Sequence, residues 1–285
     1  MRQITSADDF FTLINDAKAR CGRLDNNCQL FPEAVERYIS LNRFWGEETD
    51  SGVIFYSDED AYYQAYCYVG RDMPLELSPK DKPVLVQTVF RGEKLPAVKR
   101  IEDKLADRGF SLVKTSRHGE FIGYDGIPRI KRAQRGTQRI FEREGLVMAS
   151  VQRAQFPEID AFKKTIPELA FYEFPYYTED ELLEEAEQGR FLCVTDREGR
   201  IIAARHLIVS GKKAYGWVGI DDAYKALFGI ALMFLCHALD YIQENGIRMC
   251  SWVDEKNTAS LEYHERLGTE WNGQKMNDWL LQKGE

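Results

Sequence analysis

The residues best placed to bind an anion lie where the segment AYGWVGIDDAYK (residues 214–225) meets the run ALFGIALMFLCHALDYIQENG (residues 226–246). This pattern predicts a strand that passes through a Gly-containing turn into a helix. The first turn of such a helix has free backbone N–H groups at the positive end of the helix dipole, which favours binding of a phosphate. Gly229 allows a ligand to approach the backbone closely, and Ala231 is the next smallest residue.

A second group of polar residues lies in NTASLEYHERLG (residues 257–268), whose pattern predicts a helix. Asn257 and His264 are seven residues apart and share one face of this helix, with Ser260 between them. This face can line a groove, although Asn257 also suits the N-cap position. Tyr263 lies off that face, where an aromatic side chain fits packing in the core.

The cysteines and histidines lack the spacing of a metal site. The six cysteines include no C-x-x-C pair, so we expect buried free thiols. The four histidines show no H-E-x-x-H or similar ligand spacing. His237 lies inside the apolar run, which favours a histidine packed in the core. The sequence therefore predicts no metal site.

The composition is that of a globular protein, with 44% hydrophobic and 29% charged residues in 285. A net charge of -8 argues against a general binder of polyanions. The first residues, MRQITSADDFFTLINDAK, lack the basic and apolar regions of a secretory signal, which favours a cytoplasmic protein. The run at residues 226–246 contains His237 and Asp240, so its apolar part is too short to cross a membrane and predicts a buried helix.

The C-terminal half has a regular order of elements. From GLVMASVQRA (residues 145–154) onward, the patterns predict the order β-α-α-β-β-β-α-β-α-β, with an antiparallel meander before the apolar helix.

The N-terminal half resembles the C-terminal half in its ending of strand, helix, a turn with glycine and strand, which suggests a duplicated fold. KLADRGF (residues 104–110) takes the place of HERLGT (residues 264–269). We expect helices in SADDFFTLINDAKARCG, FPEAVERYISLNRFWG and LPAVKRIEDKLADRG, and strands in GVIFYSD, AYYQAYCYVG, MPLELSP, PVLVQTVFRG and FSLVKTS. Only KDK separates MPLELSP from PVLVQ, so this half has no counterpart of the apolar helix.

A basic segment lies between the halves, at YDGIPRIKRAQRGTQRIFEREG (residues 124–145). We interpret it as a solvated linker or the surface of a connecting element. The alternative is an electropositive wall that faces an anionic ligand or an RNA. Its basic residues are Arg129, Lys131, Arg132, Arg135, Arg139 and Arg143.

The beginning of the apolar helix resembles the phosphate-binding loop of the GNAT family of acyltransferases, which reads Q/R-x-x-G-x-G/A. The matching six residues run from Ala226 to Ala231, and Gly229 and Ala231 agree with the two small positions. Ala226 stands where the family has Gln or Arg, and Lys225 precedes it by one residue. The resemblance extends over the C-terminal half, from about residue 146.

The later family pattern, N-x-x-A/S-x-x-x-Y-x-x-x-G-F, is similar to NTASLEYHERLGT. Asn257, Ser260 and Gly268 match in register. His264 stands in place of the Tyr and Thr269 in place of the Phe, and a subset of the family also has His there.

This resemblance implies an α/β (α+β) fold of two GNAT-like domains, each with a mixed, mostly antiparallel sheet flanked by helices. We expect a degenerate GNAT-like domain at residues 1–128, a basic linker at 129–145 and an acyltransferase domain at 146–285. The implied cofactor is acetyl-CoA or another acyl-CoA. The implied reaction is acyl transfer to a small-molecule or peptide amine by direct attack.

The resemblance also implies the roles of individual residues. His264 or Tyr263 would be the general acid that protonates the departing thiolate. The cofactor would be bound at its pyrophosphate by Phe228, Gly229, Ile230 and Ala231, at its pantetheine arm by Trp217, Val218 and Gly219, and also by Asn257. The general base stays open among Asp221, Asp222, Glu173 and the acids of YYTEDE (residues 176–181).

Two other functions fit the same residues. One is an aminoacyl-tRNA-dependent transferase, which also resembles a duplicated GNAT fold and would give the basic segment a purpose. The other is a non-catalytic module that binds CoA or another ligand, suggested by the missing Gln or Arg and the missing Tyr. Nucleic acid is a partner only under the first of these alternatives.

Overall fold

The computed structural model describes residues 1–27, 30, 32–121, 127–166, 177–225 and 229–283, with the backbone alone for 127–129. The chain forms two compact units. Unit 1 comprises Met1–His118, Trp252–Leu261 and Trp271–Glu285, and unit 2 comprises Gly119–Ser251 and Glu262–Glu270. These units differ from the predicted contiguous domains because most of the last strand of the chain lies in unit 1.

The elements of unit 1 include two helices near the N-terminus and one after the central strands. They are β1 (Arg2–Gln3), α1 (Ala7–Cys21), β2 (Leu24–Asn26), α2 (Pro32–Ser40), β3 (Phe44–Thr49), β4 (Gly52–Asp58), β5 (Tyr63–Gly70), β6 (Val84–Arg91), α3 (Pro96–Asp107), β7 (Ser111–Phe121) and β13 (Thr269–Leu281). The strand order is β1-β3-β4-β5-β6-β13-β7, and β2 also pairs with β5.

Unit 2 contains most of the remaining elements, and four elements are divided between the units. Gly119–Phe121 of β7 and Thr269–Glu270 of β13 belong to unit 2, whereas Trp252–Asp254 and Thr258–Leu261, parts of the last strand and the last helix named next, belong to unit 1. The remaining elements are α4 (Ile127–Glu144), β8 (Val147–Ser150), α5 (Phe156–Lys164), α6 (Glu179–Glu187), β9 (Phe191–Thr195), β10 (Ile201–Ser210), β11 (Lys213–Ile220), α7 (Gly229–Glu244), β12 (Arg248–Asp254) and α8 (Thr258–Arg266). The strand order is β8-β9-β10-β11-β12. From β8 to β13 the chain has the predicted order of helices and strands, which confirms that expectation.

Alternation along the strands of unit 1 divides its core between the two faces of the sheet. On β4, Ile54 and Tyr56 face a cluster that contains Ile101 and Leu105 of α3. Val53 and Phe55 face a second cluster, which contains Phe10, Leu13 and Ala17 of α1. A Ser6 N-cap begins α1, since its side chain accepts a hydrogen bond from the Asp9 backbone N–H.

Unit 2 has the same arrangement. Phe191 and Cys193 of β9 pack with α5, whereas Leu192 and Val194 pack with Phe234 of α7. The apolar helix α7 is buried along most of its length, as predicted. Within the described residues, no helix is long and apolar enough to span a membrane.

The predicted basic linker at residues 129–145 is mostly the helix α4 instead. Ile130 and Phe141 join buried clusters with α7 residues, and this packing stabilises the helix. Arginines occupy the outer face of α4, and they obscured the apolar stripe in the sequence.

Two expectations for the N-terminal half are wrong. MPLELSP (residues 73–79) forms no strand, although Leu75 and Leu77 are buried as alternation predicts. Its two prolines lack the N–H group that a ladder requires. The predicted helix from residue 31 ends at Ser40, and Phe44 begins β3 instead. The short strand β2 was not predicted, because three residues carry no measurable periodicity.

Candidate functional site

Helix α7 begins at Gly229, so the predicted pyrophosphate-binding residues Gly229, Ile230 and Ala231 form its first turn. Backbone N–H groups in a first turn have no partner within the helix and lie at the positive end of its dipole. The side chain of Ile230 is fully buried. Gly229 is buried as well, so binding of a phosphate by the N–H groups of this turn stays a prediction. Phe228 lies outside the described residues.

Gly229 has a packing role that the sequence did not reveal. It faces Thr137 of α4, a buried residue, and the space between them has no room for a side chain. The close approach of α4 and α7 thus explains why residue 229 is a glycine. Helical spacing places Ile130, Thr137 and Phe141 on one face of α4, but no pattern in the sequence pairs that face with Gly229.

The backbone of β11 alternates between two edges. The Asp221 backbone N–H donates to the carbonyl of Ile202 at 2.9 Å, so this pair is hydrogen-bonded. The register of β10 and β11 continues unbroken from Ala203↔Ile220 to Ser210↔Lys213. Since antiparallel pairs alternate, Trp217 and Gly219 exchange hydrogen bonds with β10 and Val218 does not. The N–H and C=O of Val218 therefore point away from β10.

Within the part of unit 2 that the structure describes, the other edge of β11 is paired only at its beginning. Its parallel register with β12 consists of Lys213↔Arg248 and Ala214↔Met249. Beyond Ala214, among the described residues of unit 2, no strand pairs with this edge. Val218 is 44% exposed, which places this stretch within reach of solvent. Val218 thus presents a backbone donor and acceptor at an open strand edge.

Trp217 and Gly219 differ from Val218 in what they offer a ligand. The Trp217 ring is buried beside Phe191, with centroids 6.2 Å apart, and Lys163 Nζ lies 5.6 Å from the ring centroid. The backbone groups of Trp217 and Gly219 are directed to β10. Of the three predicted pantetheine-binding residues, Val218 is the one whose backbone is free to bind.

Asn257 is the N-cap of α8. Its side-chain oxygen accepts a hydrogen bond from the Ser260 backbone N–H at 3.0 Å, and the helix begins at the next residue, Thr258. The capping role weighed in the sequence is therefore present. A contact of Asn257 with a cofactor stays a prediction.

His264 lies at the other end of α8 and is partly buried. Its Nδ1 shares hydrogen bonds with Thr269 Oγ1 at 3.2 Å and Ser251 Oγ at 3.4 Å. Burial lowers the pKa of His264 to about 4. The imidazole is consequently neutral near pH 7, and an imidazolium is absent as a proton donor.

Tyr263 contacts the apolar cluster of α7, which includes Leu235 and Leu239. Its ring also meets His264 edge to face, with centroids 5.9 Å apart. Burial raises the pKa of the Tyr263 hydroxyl. The hydroxyl keeps its proton and can donate a hydrogen bond.

The candidate bases are held by local interactions. The Asp221 carboxylate accepts from the Ala223 N–H at 2.9 Å, and Asp222 pairs with Lys225 at 2.7 Å. Glu181 completes a capping box with Thr178 at the start of α6. The two remaining acids of the YYTEDE segment, Glu179 and Asp180, pair with Arg153. Glu173 lies outside the described residues.

Comparison with known proteins identifies the fold. No family model matches the sequence, and no curated protein matches it. A tandem GNAT protein from the clavulanic acid biosynthesis pathway, solved without AcCoA, matches with a TM-score of 0.52 and 10% identity over 100% of this chain and 98% of its own. The chain therefore has the fold of the GNAT superfamily in its tandem form.

Two further solved structures are similar. A GCN5-related N-acetyltransferase from Sphaerobacter thermophilus has a TM-score of 0.48 and 14% identity over 82% of this chain and 77% of its own. The GCN5-related glucosamine N-acetyltransferase region of a fungal multi-domain β-N-acetylglucosaminidase has a TM-score of 0.49 and 11% identity over 80% of this chain. The match spans 31% of that fungal chain.

Proposed function

We propose that the protein is an acyl-CoA-dependent N-acyltransferase that transfers an acetyl group from acetyl-CoA to an amine. The observation that carries this proposal is the open edge of β11 at Val218 in a chain with the tandem GNAT fold. An extended amide chain can pair with such an edge as a strand does. Pantetheine contains two amide groups and suits this position.

In the proposed complex, the N–H and C=O of Val218 bind the pantetheine arm. The N–H groups of Gly229, Ile230 and Ala231 bind the pyrophosphate, together with Phe228. Both contacts use backbone atoms. Backbone contacts are consistent with the absence of a Gln or Arg at Ala226.

The proposed reaction is direct attack. The amine nitrogen forms a bond to the thioester carbonyl carbon, the C–S bond breaks, and the proton lost by the amine balances the proton gained by the thiolate. His264 and Tyr263 are the proposed partners of the departing sulfur. Because His264 is neutral near pH 7 and Tyr263 keeps its proton, each acts as a hydrogen-bond donor to the developing thiolate.

The acceptor in this proposal is a small-molecule or peptide amine. Its nitrogen must be unprotonated to attack, so a base or the solvent removes a proton. The candidate bases are Asp221, Asp222, Glu173 and the acids of YYTEDE (residues 176–181).

A pair of substitutions at one position tests the cofactor site. Val218→Pro removes the backbone N–H, whereas Val218→Ala keeps it and shortens the side chain. In isothermal titration, the Pro variant should bind acetyl-CoA roughly tenfold or more weakly than the wild type, because one good hydrogen bond is lost. The Ala variant should bind like the wild type. Wild-type protein that shows no binding at millimolar acetyl-CoA contradicts the proposal.

Turnover separates an enzyme from a binding module. Release of free CoA thiol is measured with acetyl-CoA and a panel of primary amines, including polyamines, amino sugars and peptide N-termini. An enzyme releases thiol only when an acceptor is present. Binding of acetyl-CoA without thiol release across the panel favours the non-catalytic alternative.

The outer face of α4 favours a second candidate, an aminoacyl-tRNA-dependent transferase. Arg132, Arg135 and Arg139 are exposed, and among the described residues none of them forms an ion pair. Their spacing of three and four residues places them in one row. In contrast, Lys131 pairs with Asp240 and Arg143 pairs with Glu144.

A charge-matched comparison tests this candidate. The triple variant Arg132→Ala, Arg135→Ala, Arg139→Ala should bind total tRNA more weakly than the wild type, with a smaller salt dependence. The control variant removes three exposed cations elsewhere, at Arg2, Lys18 and Lys99. Equal tRNA binding by both variants, or none by the wild type, excludes the tRNA-dependent function.

A further inference from the structure

In unit 1, β5 changes its strand partner along one edge. Its parallel register with β6 runs from Tyr63↔Val84 to Ala65↔Val86 and then ends. The short strand β2 takes over, with the antiparallel register Leu24↔Gly70, Asp25↔Val69 and Asn26↔Tyr68. The gap that opens between β5 and β6 is therefore filled by residues of the same chain.

The backbone of β5 alternates as β11 does. The Glu59 backbone N–H donates to the Tyr62 carbonyl at 3.0 Å, which sets the register of β4 and β5. By alternation, Ala65, Cys67 and Val69 direct their backbone groups away from β4. Val69 is thus four residues beyond the last parallel pair with β6.

Val218 occupies the same position in unit 2. It follows Ala214, the last residue of β11 that pairs with β12, by four residues. In unit 1 the corresponding Val69 pairs with Asp25 of β2. The same strand position is hence open in one unit and occupied in the other.

Asn27 fills the space between the end of β2 and the last parallel pair. Its side-chain oxygen accepts a hydrogen bond from the Cys67 N–H at 2.6 Å. Its side-chain nitrogen donates to the carbonyls of Ala65 at 3.2 Å and Gln87 at 2.9 Å. Asn27 is buried, and its primary amide bridges β5 and β6 as an amide group of an inserted ligand would.

Residues 24–27, which we call the plug, are held in place by helix α3. Arg100 of α3 donates two hydrogen bonds to the Asp25 carboxylate, from Nε at 2.6 Å and from a terminal nitrogen at 2.8 Å. Asp25 is 4% exposed, and the hydrogen bonds from Arg100 lower the pKa of its carboxyl. A bidentate pair with a buried carboxylate of this kind resists displacement of β2.

We propose that residues 24–27 occupy, in unit 1, the strand-edge slot that takes the pantetheine arm in unit 2, so that each chain binds one acyl-CoA. This inference rests on the proposed function for the identity of the ligand in unit 2. The occupancy of the slot in unit 1 rests on the contacts of Asp25 and Asn27 alone.

Hydrogen exchange tests the plug without any cofactor. In the free wild-type protein, the amides of Cys67 and Val69 should exchange roughly 100-fold or more slowly than the amide of Val218. Asn27→Ala should speed exchange at Cys67, whereas the exposed neighbour Asn26→Ala should leave it unchanged. If Asn27→Ala fails to fold, Arg100→Gln provides a second variant, because it weakens only the contact of Arg100 with Asp25 of β2. Rapid exchange at Cys67 and Val69 in the wild type would overturn the plug.

Titration with acetyl-CoA tests the stoichiometry. We expect one site per chain, slower exchange of the Val218 amide on binding, and no change at Cys67 or Val69. Two sites per chain, or slower exchange at Cys67 on binding, would overturn the inference. Absence of any binding refutes the proposed function, whereas the plug is still decided by hydrogen exchange in the free protein.

Discussion

Gly229, the first residue of α7, packs so closely against Thr137 of α4 that an added Cβ atom would lie 2.7 Å from Thr137 Cγ2. Carbon atoms in contact are usually separated by about 3.5–4.0 Å. This glycine therefore serves helix packing, whether or not its backbone also binds a phosphate.

We predict that Gly229→Ala destabilises the protein by about 1–3 kcal/mol. The clash with a stiff, β-branched side chain outweighs the gain of up to about 1 kcal/mol that Ala brings to a helix. Urea unfolding monitored by circular dichroism measures the change. In a Thr137→Ala background the same substitution should be neutral or stabilising.

The double variant separates packing from cofactor binding. If Gly229 is required only for packing, Gly229→Ala with Thr137→Ala binds acetyl-CoA like Thr137→Ala alone. Weaker binding by the double variant at restored stability assigns the glycine a contact with the ligand.

Glu47 in unit 1 is predicted to be a strong stabiliser. Its buried carboxylate accepts hydrogen bonds from Tyr56, Ser78 and Lys80, and these bonds outweigh its burial and lower its pKa to about 2. Glu47→Gln leaves the buried Lys80 charge without its partner, which should cost about 3–5 kcal/mol in urea unfolding.

The neighbouring Glu48 provides the matched control. It forms an exposed pair with Arg20 at 3.6 Å, so Glu48→Gln should change stability by less than about 1 kcal/mol. Equal effects of the two substitutions would show that the buried network contributes little.

The depressed pKa of His264 predicts acid destabilisation. This pKa is about 4 in the folded protein, against an ordinary value of 6.5 for an exposed histidine, so between these values the unfolded chain binds more protons. Stability therefore falls as the pH is lowered through this window, by on the order of 2–3 kcal/mol for this group. Over this window, His264→Gln should lose less of its free energy of unfolding than the wild type. Above about pH 7, the free energies of unfolding of the two proteins should change with pH in parallel. Parallel curves throughout would contradict the shift.

Substitution of the proposed donors tests their part in turnover. We expect His264→Ala or Tyr263→Phe to lower kcat about tenfold or more, with a smaller change in KM, because the thiolate develops only in the transition state. In the profile of kcat against pH, His264 should produce no inflection near the ordinary histidine pKa of about 6.5. If kcat falls less than tenfold in both variants, another group protonates the sulfur.

Much of the fold of the C-terminal half follows from local patterns. Alternation at Phe191–Thr195 and the apolar run after Gly229 are long enough to define β9 and α7. The N-cap function of Asn257 follows from residue type alone. The basic helix α4 was harder to predict, because its apolar stripe is narrow and its arginines suggest a solvated segment.

The candidate site was predictable in part. The order of a strand, a glycine turn and a helix located Val218 and Gly229, since these features are contiguous in the chain. The choice of Val218 over Trp217 and Gly219 required the register of β10 and β11, because only pairing decides which backbone groups are free. The low pKa of His264 likewise depends on burial, which no local pattern states.

The sequence by itself determined the element order from β8 onward and the position of a buried helix that begins at Gly229, because both depend on periodicities within a few residues. Only the tertiary structure decided that close packing against Thr137 requires a glycine at position 229. It also decided that β2 and Asn27 fill the slot beside β5 and that β13 pairs with β6. These contacts join residues far apart in the chain, and their energies come from burial and hydrogen bonding that only the folded arrangement creates.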